Sequence, residues 1–135
     1  MKNSISKLLS VSLLASCIGF TGIISAKNPI IDSVFTADPA AIVHNDTVYL
    51  YTGHDEQVPG KAGFIMNDWL LFTSTDMVNW EHQGPIMKVT DFAWAKEHAW
   101  AAHMIERDGK FYFYTSVYQK DTKGFAIGVG VADTP

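Results

Sequence analysis

The chain has 135 residues, of which 47% are hydrophobic, 13% aromatic and 18% charged. That balance excludes a disordered or low-complexity chain and leaves room for one small packed domain. The formal net charge of −4 excludes the basic footprint of a nucleic-acid-binding domain.

Residues 1–26 read as an export signal. Lys2 and Lys7 give a positive start, residues 8–24 carry no charge, and Ile24-Ser25-Ala26 closes the run on a small residue. The run is short for a membrane span and is diluted by Ser10, Ser12, Ser16 and Thr21. Cleavage after Ala26 sends a cysteine-free domain to the periplasm or the exterior. Leu14-Ala15-Ser16-Cys17 offers an alternative. It looks like a bacterial lipobox, in which Cys17 is lipidated and holds the protein at the outer surface.

Beyond residue 27 the pattern predicts strands. Residues 40–43 and 47–52 read as a hairpin across His44-Asn45-Asp46, and 53–64 as a loop broken by Pro59-Gly60 and Gly63. A third strand spans 69–75, a polar turn 76–79, and a fourth strand 80–87, limited by Gly84-Pro85. Residues 91–98 form at most a turn or two of helix. The pattern then restarts with strands at 104–106, 110–117 and 124–132, the first two joined by Arg107-Asp108-Gly109.

This restart is an internal repeat. Asn45-Asp46-Thr47-Val48-Tyr49-Leu50-Tyr51-Thr52 matches Asp108-Gly109-Lys110-Phe111-Tyr112-Phe113-Tyr114-Thr115, with the same turn, strand and following strand. A repeat of this size built from about four strands is the signature of a propeller blade. The fold class is therefore all-β, with about two blades after the export signal.

Asp38, in Thr36-Ala37-Asp38-Pro39-Ala40, precedes the first strand. In a blade that strand lies nearest the central axis, so a carboxylate there projects into the axial funnel and can act as a general base on water. The alternative is an Asp-Pro turn opener. His54, Asp55 and Glu56 follow the second strand, placed to hydrogen-bond sugar hydroxyls, to hold a cation or to belong to a solvated loop. Trp94 and Trp100 offer flat faces for sugar stacking, with His103 beside them, and equally suit packing between blades. The histidines lack the spacing of a zinc site, and there is no phosphate-binding glycine loop, Gly-x-Ser-x-Gly or cysteine nucleophile.

Three segments in order resemble glycoside hydrolase family 43, a five-bladed β-propeller family of arabinofuranosidases, β-xylosidases and arabinanases. They are Ala37-Asp38-Pro39 before Val48-Tyr49-Leu50-Tyr51; Ser74-x-Asp76-x-x-x-Trp80 before Gly84-Pro85; and Trp100-Ala101-Ala102-His103 before Asp108-Gly109-Lys110-Phe111-Tyr112. The family usually has Trp-Ala-Pro in the last segment, so Ala102 departs from it and loses a rigid turn. Tyr51-Thr52-Gly53-His54-Asp55-Glu56 and Met66-Asn67-Asp68-Trp69-Leu70 look most like the arabinoxylan arabinofuranohydrolases.

The resemblance implies that residues 27–135 are the N-terminal part of a catalytic propeller acting on arabinose- or xylose-containing plant polysaccharide. It implies inverting hydrolysis without a required cofactor, Asp38 serving as general base. Inverting enzymes hold base and acid roughly 6.5–9.5 Å apart, leaving room for a water. The family's acid glutamate and the aspartate that tunes it belong to later blades, so the chain by itself is expected to be inactive. Some members hold a calcium ion on the axis. The competing reading is a non-catalytic carbohydrate-binding β-sandwich that uses Trp94, Trp100 and the His54-Asp55-Glu56 loop.

Overall fold

The computed structural model describes residues 28–60 and 62–135. The expected export signal, with Cys17, lies outside the described residues.

The strands are β1 (Thr36–His44), β2 (Thr47–His54), β3 (Glu56–Gln57), β4 (Phe64–Ile65), β5 (Asp68–Ser74), β6 (Glu81–Lys88), β7 (Ala95–Arg107), β8 (Lys110–Gln119) and β9 (Phe125–Ala132). They form a four-stranded sheet β1-β2-β5-β6, a three-stranded sheet β7-β8-β9 and a small β3-β4 ribbon. All pairings are antiparallel between strands that follow one another in their sheet. Two consecutive meanders packed side by side are propeller blades, the second described through three strands.

The repeat is the same hairpin twice. In the first, Asn45 and Asp46 have φ of 47° and 58°; in the second, Asp108 and Gly109 have φ of 53° and 71°. His44 pairs with Thr47 and Arg107 with Lys110, so each loop has two residues. Positive φ at both central positions is the type I′ turn, whose twist matches the strands it joins, and Asn, Asp and Gly are the residues that tolerate it.

Strand alternation then sorts the side chains. Tyr51, Trp69 and Leu71 face the second sheet and form one core with Met104, Phe111, Phe113 and Val117. Leu50, Leu70 and Phe72 face the other way, onto Ile31, Val34 and Trp80. Trp69 is 0% exposed and sits between the sheets. Its Nε1–H donates to the Trp100 carbonyl at 2.7 Å and its ring meets Phe113 edge-on at 5.7 Å. Removing such a side chain typically costs about 3–5 kcal/mol, so this one residue contributes much of the grip between blades.

The helical turn expected at 91–98 does not form. Only a 3-10 turn, Val89–Asp91, is present, and Ala95 already belongs to β7. Ala95 and Ala99 are buried in the core between the sheets, and the Ala99 N–H donates to the Met66 carbonyl at 2.8 Å. Burial and cross-sheet bonding override a weak local helical preference. Register shifts along Ala95–Ala102 bend this strand. The first strand also starts earlier than expected, at Thr36, and the expected loop at 53–64 contains β3 and the start of β4.

Candidate active site

β1 and β7 run side by side in the same direction. His44, at the end of β1, approaches Glu106, near the end of β7, at 3.3 Å from Nδ1 to Oε2. The starts of both strands therefore share one end of the molecule, and Asp38 lies at that end.

A β-bulge sets Asp38. Ala37 pairs with Gly53, but the next paired residue on β1 is Ala40, opposite Tyr51. Asp38 and Pro39 thus oppose Thr52 alone, one residue in excess. A bulge of this kind re-aims side chains beside active sites. Asp38 has φ of 50°, left-handed backbone that a non-glycine residue adopts at a cost. The following proline disfavours compact conformations at this residue as well. Residues in such regions store about 1–3 kcal/mol, held by surrounding structure, and cluster at functional sites. The Asp38 side chain is exposed.

The end of β2 supplies its neighbours. His54 pairs with Thr36, and its Nδ1 lies 2.8 Å from Oδ1 of Asp68 at the start of β5. The Asp55 N–H donates to the Phe35 carbonyl at 3.1 Å, tying this corner to the start of β1. Partial burial raises the pKa of the Asp55 carboxyl from its ordinary value; the negative charge of Asp38 adds to this, and His54 opposes it. Glu56 accepts a bond from Asn67 Nδ2 at 2.9 Å. Gly53 permits the close approach here, because a Cβ on it would lie 2.9 Å from Met66 Cε.

The structure thus brings Asp38, His54 and Asp55 together, and adds Asp68, which the sequence reading missed. Asp68 follows from the pairing of Gly53 with Trp69 once β2 and β5 are aligned. Trp94 does not join this group. It is half-buried against the core, its ring 5.3 Å from Phe92. Trp100 leaves its carbonyl between the blades, where Trp69 Nε1 and Thr115 Oγ1 donate to it. Its ring is 42% exposed and stacks on Phe125 at 4.1 Å. His103 donates from Nδ1 to the Met104 carbonyl at 2.7 Å and faces an open groove of about 780 Å³ with Ile105, Tyr112 and Tyr114. That groove runs toward the β7–β8 turn, away from Asp38. It lies on the outer face of the second sheet, where Arg107 and Asp108 complete its lining, and is separate from the Asp38 corner.

Chemically, the corner offers an exposed carboxylate able to take a proton from water, beside a second carboxyl whose pKa is raised by burial and by Asp38, and an imidazole oriented by a carboxylate. Among the described residues, no three His, Cys, Asp or Glu side chains are grouped to hold a metal ion.

The model of glycosyl hydrolases family 43 matches residues 26–135. The chain belongs to that family. A xylosidase/arabinosidase 43A of Humicola insolens is 33% identical over 117 residues, covering 79% of this chain and 35% of that protein. An arabinoxylan arabinofuranohydrolase of Bacillus subtilis is 30% identical over 133 residues, covering 83% of this chain and 25% of that protein. Among solved structures, a family 43 enzyme of Xanthomonas citri complexed with xylotriose superposes with a TM-score of 0.71 at 33% identity, over 79% of this chain and 32% of that one. The chain thus spans about a third or less of the length of these family 43 relatives. These likenesses place its two meanders in the family's β-propeller, and not in a β-sandwich.

Proposed function

We propose that residues 27–135 form the first two blades of an exported family 43 glycosidase that cleaves arabinofuranosyl or xylosyl units from arabinoxylan or a related plant polysaccharide. Asp38 is the general base. The observation that carries this reading is the strained bulge that holds an exposed carboxylate at the shared end of β1 and β7. The names of its relatives, arabinoxylan arabinofuranohydrolase and β-xylosidase, support the substrate class.

In this mechanism the Asp38 carboxylate takes a proton from a water molecule. The water oxygen attacks the anomeric carbon on the face opposite the leaving group, forming a C–O bond as the glycosidic bond breaks. A carboxylic acid from outside the described residues protonates the departing oxygen. The product has inverted configuration. His54 and Asp55 face the same corner and bond sugar hydroxyls, His54 being held by Asp68.

The reaction as proposed requires no cofactor, and the acidic chain suits a neutral polysaccharide rather than nucleic acid. No helix among the described residues is long and apolar enough to cross a membrane. Export through residues 1–26 fits a polymeric substrate that cannot enter the cell, with Cys17 lipidation as the alternative route to the surface. Proton NMR of the first sugar released by the full-length enzyme tests the reaction. The inverted anomer is expected first; retained configuration overturns the proposal.

A further inference from the structure

Sheet register sets Asp68 against His54. Gly53 pairs with Trp69, so one step further along β2 and one step back along β5 put His54 directly opposite Asp68. Side chains directly opposite on an antiparallel pair share a face. The row extends to Thr36 on β1 and to Lys88 on β6. Buried neighbours anchor both strand ends: Tyr51 and Thr52 before His54, Trp69 and Leu70 after Asp68. Beyond His54, the Asp55 N–H is held by the Phe35 carbonyl. The two side chains are themselves half-buried, 24% and 18% exposed.

Their bond fixes where the imidazole proton sits. His54 Nδ1 lies 2.8 Å from Asp68 Oδ1. An ionised carboxylate can only accept, so the hydrogen between them belongs to Nδ1. On a neutral imidazole the other nitrogen, Nε2, then carries a lone pair. Nε2 has no hydrogen-bond partner among the described residues, and no other side chain among them bonds Asp68. Asp55, next along the chain, feels the charge of both His54 and Asp38. The imidazole therefore stands in the same electrostatic neighbourhood as the proposed base.

We propose that Asp68 is a positioning residue that keeps His54 protonated on Nδ1, so that His54 recognises the substrate by accepting a hydrogen bond at Nε2 from one of its hydroxyls. The opposite tautomer would make Nε2 a donor and leave Asp68 facing a lone pair. Asp68 thus selects a hydroxyl with a hydrogen to give over an ether or ester oxygen at the same position. That the hydroxyl is a sugar's rests on the glycosidase reading; the tautomer does not.

The test uses the full-length enzyme at about pH 8, above the ordinary imidazole pKa. Long-range proton–nitrogen NMR of its histidines reports which ring nitrogen carries the proton, and the signal lost in His54→Gln identifies His54. Protonation of Nδ1 is expected. Asp68→Ala should release the tautomer, and Asp68→Asn, which keeps an oxygen to accept the bond, should hold it. On arabinoxylan, Asp68→Ala should raise KM about tenfold, the scale of one misdirected hydrogen bond, with kcat little changed. Asp68→Asn should stay near the wild-type KM. His54→Gln offers an acceptor in place of Nε2 without help from Asp68, so adding Asp68→Ala to it should cost nothing more. A proton on Nε2 in the wild type, or an Asp68→Ala penalty as large in the His54→Gln background as alone, overturns the positioning role and leaves the glycosidase reading standing. Parallel losses of kcat, KM and melting temperature in Asp68→Ala would show a merely structural role and overturn it too. A full-length protein that leaves arabinoxylan intact overturns the glycosidase reading and the role in KM with it, while the NMR result decides the tautomer on its own.

Discussion

Replacing Asp38 by glycine should make the chain more stable while removing its proposed base. The left-handed backbone at φ of 50° is costly for aspartate and free for glycine. The strain is about 1–2 kcal/mol, toward the lower end because Asp tolerates this region better than most residues. Glycine in turn loses about 0.5–1 kcal/mol through the greater freedom of its unfolded chain. The substitution also removes the charge that disfavours ionised Asp55. The balance is a gain of up to about 0.5 kcal/mol, or at most roughly 2–4 °C in a domain of this size. Asp38→Ala removes the same charge without relieving the backbone. Thermal unfolding of the three proteins should therefore rank glycine above wild type and alanine below glycine. A glycine variant no more stable than the alanine variant would refute the claim that the bulge stores strain.

Three further predictions concern the surroundings. Asp55 has a raised folded-state pKa, so its protonated form favours folding; that contribution is full below the usual carboxylate range and is lost as pH rises through it. Asp55→Asn should accordingly raise the melting temperature at pH 7 and leave it unchanged near pH 3, whereas an equal shift at both values would contradict the assignment. Gly128→Ala should cost about 1–3 kcal/mol in urea unfolding, because the new Cβ would sit 2.6 Å from Phe92 Cζ. Phe92→Ala should recover part of that loss in the double variant; simple additivity would show that the clash is not the cause. Trp69→Phe should cost about 2 kcal/mol through the lost bond to the Trp100 carbonyl and the void left behind, and an unchanged denaturant midpoint would dismiss Trp69 as the inter-blade tie.

The hairpins were legible because their turns are chemically explicit. Asn45-Asp46 and Asp108-Gly109 tolerate positive φ, and the strands after them are rich in β-branched and aromatic residues. Asp38 was legible as a position but not as a geometry. Pro39 argues against a strand interior, and only the bulge opposite Thr52 reconciles it with β1. The His54–Asp68 pair was hidden because its members are 14 residues apart and meet through sheet register. The turn or two of helix allowed at 91–98 does not form for a related reason: the neighbouring blade buries Ala95 and Ala99, which extends the strand back to Ala95. Trp94 and Trp100 look alike in sequence, and only packing separates a half-buried ring on Phe92 from an exposed one on Phe125.

The central claim is that Asp38 activates the attacking water. Its most direct test is the hydrolysis of arabinoxylan by the full-length enzyme and its Asp38→Asn variant, with oligosaccharide binding measured in parallel by calorimetry. The account predicts a loss in kcat on the order of 10²–10⁴, with affinity nearly unchanged. An Asp38→Asn enzyme that keeps its rate would contradict it.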